Sequence, residues 1–320
     1  VAKAFMTLRE ILSVAICVIV SLVMVAIATR YLRPHWIFSA LHSLQLHFAA
    51  ACVVALIVAL ILHRNPVTVG LLVAALALTA HAIIMMVQIA APAPAADAQA
   101  PGFKLLSFNI LSSNYRNGEA IADMIAASGA DIVNVMEAEP LLAHLNKLDA
   151  IYPYRIGCGA TADDYCDQLL LSKTPLAEQS VRDLSPIFDH RFILVETELA
   201  GRTVTVGGIH TTKPYFDNFQ TMELLRAALA ITDTQGPLVV AGDFNASSLA
   251  PNMQDFLHRT ELRTAGFEPP TWPTRLSIFG LPIDHVYVRA PLRIRSLTTL
   301  PQTYGSNHAG LLADIAIGDH

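Results

Sequence analysis

The chain has 320 residues, of which 53% are hydrophobic and only 15% charged, an imbalance that excludes a soluble domain along the whole length and points to membrane segments. Its formal net charge is −5 and no long basic run occurs, which argues against a protein built to grip duplex nucleic acid.

The apolar excess lies at the front. Ile11 to Thr29, Leu44 to Leu62 and Val67 to Ala91 contain no Asp, Glu, Lys or Arg. A helix that crosses a bilayer needs about 20 such residues, so three transmembrane helices are predicted within residues 11–91. Gln45 and His47 weaken the start of the second. Ala26-Ile27-Ala28 could serve as a signal-peptide cleavage site, but the first apolar stretch exceeds the usual core of about 7–15 residues. Two more apolar stretches follow, and an uncleaved anchor is expected. Lys3, Arg9 and Arg64 fall on one side of the spans and Arg30 and Arg33 on the other, a narrow margin for a cytoplasmic N-terminus. His42, His47 and His81 form no spaced cluster and read as packing or interface positions.

Residues 1–91 are therefore expected to be the anchor, and residues 92–101, rich in Ala and Pro, a semi-extended tether. Residues 102–320 form a single further domain. It carries 16 of the 21 basic and 24 of the 26 acidic residues, a net of −8. Cys158 and Cys166 are its only cysteines, in a loop-like stretch with Gly157, Gly159, Asp163, Asp164 and Asp167. No second Cys/His pair accompanies them as a zinc site requires, so a local disulfide in an oxidising compartment fits best. An extracytoplasmic domain follows from that and from the absence of basic residues in the tether.

In chain order, Phe103–Leu111 alternates like a strand, Gly118–Ser128 is helical, and Ala130–Met136 is a short apolar run. Pro140–Leu148 is amphipathic, and Gln168–Ser172 is an apolar strand. Arg191–Leu199 and Arg202–Ile209 flank Ala200-Gly201 as a hairpin. Asn218–Thr232 places Met222, Leu225, Leu229 and Ile231 at roughly helical spacing, a predicted core face. A buried strand over 238–243, a short helix near Met253–His258, and strands at Ile283–Val288 and Leu311–Ile317 complete the pattern. Hairpins mixed with single crossover helices argue against a purely parallel sheet.

Several of these strands end in polar residues. Leu105–Phe108 leads to Asn109, Ile132–Met136 to Glu137, and Val204–Ile209 to His210. Leu238-Val239-Val240-Ala241-Gly242 delivers Asp243-Phe244-Asn245; Ile283 leads to Asp284, and Ser306-Asn307-His308 opens the last strand. Each alone is a turn cap or a solvated strand end more often than a site residue. Together they describe one pocket, because a buried strand is a rigid mount and its end faces a cleft.

The order Asn…Glu…His…Gly-Asp-x-Asn…Asp-His…Ser-Asn-His resembles the endonuclease/exonuclease/phosphatase superfamily over about Phe103–Ile317, with Leu170–Pro175 and Thr271-Trp272-Pro273 as supporting segments. The resemblance implies a DNase I-like α/β fold, a four-layer sandwich of two mixed β-sheets flanked by helices, here preceded by a three-helix transmembrane region. It implies divalent-metal-dependent cleavage of phosphate esters with Mg²⁺ (or Mn²⁺). Asn109, Glu137 and Asn307 are then the metal-site residues, since a hard cation prefers oxygen ligands. Asp243 would orient or deprotonate the attacking water, Asn245 would hold a phosphate oxygen, and His308, oriented by Asp284, would donate to the scissile phosphate. His210 matches the second family histidine. The family usually has Asp before the last histidine; Asn307 adds no charge, and weaker metal binding or a one-metal site is expected.

The expected protein is a metal-dependent phosphoesterase on the periplasmic face of a bacterial inner membrane. Its partners are the bilayer and a small or lipid-borne phosphate ester, with Arg116, Arg155 and Lys213 near motif ends. An extracytoplasmic nuclease, or an impaired enzyme kept for binding, is the alternative.

Overall fold

The computed structural model describes residues 6–32, 35–158 and 166–318. Lys3, Arg33 and the loop residues Gly159, Asp163 and Asp164 used above lie outside them. Three helices are long and apolar enough to cross a membrane: α1 (Leu8–Ala28), α3 (Gln45–Leu62) and α4 (Pro66–Gln88), with the short α2 (Ser39–Ser43) before α3. The starts of α1 and α4 are chemically marked. The Thr7 side chain accepts from the Glu10 N–H while Glu10 accepts from the Thr7 N–H at 2.7 Å, satisfying two orphan donors reciprocally. Asn65 caps α4 through the Val67 N–H at 2.8 Å, with Pro66 at the first helical position.

The remainder is built on two mixed sheets. The first contains β1 (Gly102–Asn109), β2 (Ile132–Met136), β3 (Tyr154–Gly157) and β4 (Gln168–Ser172), together with β10 (Leu292–Thr299) and β11 (Leu311–Ile317). Its order is β10-β11-β1-β2-β4-β3, with only β1 and β2 parallel. The second contains β5 (Leu176–Arg182), β6 (Phe192–Leu199), β7 (Arg202–His210), β8 (Leu238–Asp243) and β9 (Asp284–Arg289), in sequence order, with only β7 and β8 parallel. Leu105, Ile132, Leu170, Val206, Val239 and Val286 meet between the sheets. The outer face of the first sheet is covered by α5 (Gly118–Ala127) and a 3-10 helical stretch over Glu139–Lys147. The second is covered by α6 (Phe219–Thr232) and α7 (Pro251–Thr260). Each sheet buries both faces, so its central strands read as continuous apolar runs rather than alternating ones.

One expected face is corrected. On α6, Met222, Leu225 and Leu229 are 40%, 39% and 59% exposed, and of the four residues assigned to the core only Ile231 is buried. The inward face is Gln220, Glu223, Leu224, Ala227, Ala228 and Ile231. Two polar residues sit inside because they satisfy backbone: Gln220 donates to the Phe244 carbonyl at 2.7 Å, and Glu223 accepts from the Thr212 N–H at 2.6 Å and the Ser185 hydroxyl at 2.6 Å.

The tether is bound along its length. Pro92 bridges to Ile294, Asp97 offers its carbonyl to Arg295 Nε at 3.0 Å, and Arg295 also reaches the Ala100 carbonyl. Among the described residues, the apolar helical segment hydrogen-bonds to the domain at two places. Ser247 donates through its backbone and its hydroxyl to Ser43 at 3.2 and 2.9 Å, with Leu249 packed against Leu46 and Met85. Thr264 N–H donates to the Ile89 carbonyl at 2.9 Å and Arg263 to that of Gln88 at 3.2 Å.

Candidate active site

The sheet register does most of the assembly. Parallel pairing of β7 and β8 sets His210 opposite Asp243, and antiparallel pairing of β8 and β9 sets Asp243 opposite Asp284. Three polar residues thus form one row across the end of the second sheet. In the first sheet Asn109 pairs with Met136, which places Glu137 one step beyond it. Face-to-face packing brings the two ends together: Asn109 Nδ2 donates to Glu137 Oε1 at 3.1 Å and to Asp243 Oδ2 at 3.0 Å.

The approach has local requirements. Gly242 has φ +154°, and a Cβ there would collide with the Ile209 carbonyl oxygen, so the strand can deliver Asp243 at this angle only through glycine. Glu137 and Asn245 both hold positive φ, 52° and 50°, a conformation uncommon outside glycine that clusters at functional positions.

Asp243 is the hub. Its Oδ1 accepts from the Asn245 N–H at 2.8 Å. Its Oδ2 lies 3.7 Å from His210 Nε2 and 3.8 Å from His308 Nε2. Each imidazole is oriented from behind by its own carboxylate: His308 Nδ1 is 2.8 Å from Asp284 Oδ2, and His210 Nδ1 is 2.7 Å from Asp167 Oδ2. Burial and the Asp284 charge push the Asp243 carboxyl above its ordinary range, against the two histidines and the Asn245 N–H. Burial opposes the charge of His308, yet Asp284 and Asp243 prevail and lift it to about 9. His210 is raised in the same way by Asp167. Glu137 is held below its ordinary value: burial disfavours its charge, but the Ser112 N–H at 2.7 Å, His210 and Asn109 outweigh it.

Asp167 was missed by sequence reasoning, as was Arg191, whose Nη2 lies 2.9 Å from Asp167 Oδ1. Asp167 follows Cys166, which is disulfide-bonded to Cys158, and starts the antiparallel β4 rather than ending a strand. His285, next to Asp284, is fully buried. It pairs with Glu268 at 2.6 Å and reaches the Ala246 carbonyl at 2.9 Å, fixing the turn after Asn245. Asn307 is exposed, and among the described residues its side chain makes no hydrogen bond to the cluster.

The donor set suits a hard cation. Two carboxylates, Glu137 and Asp243, converge on one Asn109 amide, and an amide can present its oxygen instead of its nitrogen. Ligand atoms of Asp243, Asp284 and His308 also lie within 4.8 Å of one another, and Asp284 Oδ1 is buried without a partner. The Nδ1 of His308 is already engaged by Asp284, however, and its raised pKa favours the imidazolium over a ligand.

A cavity of about 610 Å³ opens beside Glu137, His210 and Asn245. Lys213 and Arg191 line it together with Phe188 and Phe216, so it offers both cationic and apolar walls. Of the three basic residues noted in the sequence, Lys213 alone lines it; Arg155 pairs with Asp149 at 3.0 Å, and Arg116 is exposed.

A model of the endonuclease/exonuclease/phosphatase family matches residues 106–308. UPF0294 protein VP2298 of Vibrio parahaemolyticus is 30% identical over 127 residues, 37% of this chain and 42% of that protein, so the match spans less than half of this curated relative. Among solved structures, humanised D. rerio TDP2 is 16% identical with a TM-score of 0.54, over 67% of this chain and 98% of that one. A beta toxin from Staphylococcus aureus with bound magnesium ions is 15% identical with a TM-score of 0.50, over 68% and 100%. At these identities the likeness to the solved structures is one of fold.

Proposed function

The chain belongs to the endonuclease/exonuclease/phosphatase family, and from that premise we propose that it is a divalent-metal-dependent phosphoesterase held at the outer face of a membrane by α1, α3 and α4. The observation that carries this reading is the convergence of Asn109, Glu137, His210, Asp243 and His308 from both sheets.

Glu137 and Asn109 would hold Mg²⁺ or Mn²⁺, with Asp243 close by. The bound cation supplies neutralisation of the charge that builds on the phosphate and on the leaving oxygen. Asp243, oriented by the Asn245 N–H and Asn109, takes the proton of the attacking water at Oδ2. Burial and the Asp284 charge make this carboxylate a stronger proton acceptor than an ordinary one. His308 and His210, each held by a carboxylate at Nδ1, present Nε2–H toward the phosphate oxygens as negative charge develops. Asn245 Nδ2 donates to the Thr211 carbonyl at 2.8 Å, which holds its amide at the cavity edge for a further phosphate oxygen. Lys213 adds positive charge at the mouth.

A small or lipid-borne ester is favoured over duplex DNA, because the domain is acidic and no long basic run occurs. The test is hydrolysis by the full chain in detergent with Mg²⁺, offered a model phosphodiester, a phosphomonoester, lipid headgroup esters and DNA. EDTA-sensitive turnover on at least one is expected. No turnover on any, with the fold intact, would favour a binding role, and turnover on DNA alone would favour a nuclease. Asn307→Asp adds a carboxylate where this chain has an amide, and it should lower the Mg²⁺ concentration giving half-maximal activity. An unchanged value would reject a metal-site role for this position.

A further inference from the structure

We propose that the exposed face of α6 rests on the outer leaflet of the bilayer, continuing the surface at which the membrane helices emerge. The inference depends on α1, α3 and α4 spanning a membrane, and not on the chemistry proposed above.

Met222, Leu225 and Leu229 recur at helical spacing over about 10 Å of α6, and they are 40%, 39% and 59% exposed although the helix already buries its opposite side. The neighbouring α7 turns Asp255, His258 and Arg259 outward, so the apolar exposure belongs to α6. Unpaired apolar surface of this kind marks a contact.

The contact is identified by position. The α7 helix is tied at both ends to the membrane helices: Ser247 and Leu249 precede it and meet Ser43 and Met85, while Arg263 and Thr264 follow it and meet Gln88 and Ile89. It therefore lies along the end of the bundle, and α6 packs beside it. A cavity of about 460 Å³ joins Trp36, from the connection between α1 and α3, to Thr221 of α6 and Asp255 of α7. A second groove of about 120 Å³, lined by Leu225, shares Thr221 and Asp255 with the first. The exposed face of α6 thus runs on from the connection that leaves the membrane. That connection itself exposes Leu32 and Ile37 at 87% and 59% beside Trp36, the residue types that sit at a headgroup boundary. Phe216, 75% exposed just before α6, lines the catalytic cavity, whose mouth then opens beside the leaflet.

The test is tryptophan quenching in the full chain, reconstituted in phosphatidylcholine/phosphatidylglycerol vesicles with or without brominated acyl chains. Leu225→Trp and Leu229→Trp are compared with wild type and with Ala127→Trp on α5, in the helical layer across the sandwich. Added emission at 225 and 229 should be quenched at least twofold more than at 127. Quenching no greater than at 127 would overturn the proposal, as would crosslinking of 225 between two copies without quenching. In Trp272→Phe, which leaves Trp36 as the one native tryptophan, unquenched emission would overturn the membrane placement altogether. No outcome requires turnover, so a failed phosphoesterase assay leaves the result standing on its own.

Discussion

Asp243 gathers its neighbours because each arrives from a different strand end, and the two histidines beside it depend on carboxylates placed behind them. Asp167 is a positioning residue of this kind. Asp167→Asn keeps the shape but removes the charge behind His210, and kcat should fall by about 10²-fold, the lower end of general acid–base effects. The alkaline limb of its pH profile should also move down, because the Asp167 charge holds the His210 pKa up. A lower rate with an unmoved limb would mean that Asp167 serves packing only. For His308, whose folded pKa of about 9 lies above the ordinary 6.5, the linkage sign is definite. Its contribution is fully present below about 6.5 and is lost as pH rises through about 9. The melting temperature of the metal-free protein should therefore fall between pH 7 and roughly 9.5 more in wild type than in His308→Gln; parallel curves would contradict the pairing. Most of this cluster was legible as polar residues closing buried apolar strands. Asp167 was not, because it opens an antiparallel strand and reaches the same edge from the opposite direction.

At the scale of elements, a buried amide network adds polar links to the apolar core between the two sheets. Asn134 on β2 donates to the Ala241 carbonyl on β8 at 3.0 Å and accepts from Gln168 on β4 at 3.0 Å. Gly208 on β7 leaves room for it: a Cβ there would stand 2.5 Å from Gln168 Nε2 and 2.6 Å from Asn134 Oδ1. Gly208→Ala should cost about 1–3 kcal/mol, an overpacking effect seen as a lowered melting temperature; an unchanged melting temperature would mean that the network yields freely. The hairpin at Ala200-Gly201 and the central strands could be read from pattern alone. The strands β3, β5 and β10 could not, since all three are edge strands and β5 and β10 carry largely polar or half-exposed residues. The α6 face was misread for a related reason. Apolar residues line both sides of that helix, and Gln220 and Glu223 go inward to serve loop backbone that only the tertiary fold brings near.

On the scale of the molecule, composition alone separated an apolar front from an acidic domain, and the three long apolar helices and the two-sheet sandwich match that division. How the halves meet was not visible in the sequence, because the Ser43–Ser247 contact links positions two hundred residues apart through ordinary serines. That contact stands two residues after Asn245, so the apolar N-terminal segment is held next to the turn that follows this site residue. The central claim is that the polar strand ends form one phosphate-cleaving centre with Asp243 as its base. It is tested most directly by single-turnover hydrolysis of a model phosphodiester by the full chain at saturating Mg²⁺, wild type against Asp243→Asn. The account predicts a fall of about 10²–10⁴-fold with substrate affinity little changed; equal rates for the two proteins would contradict it.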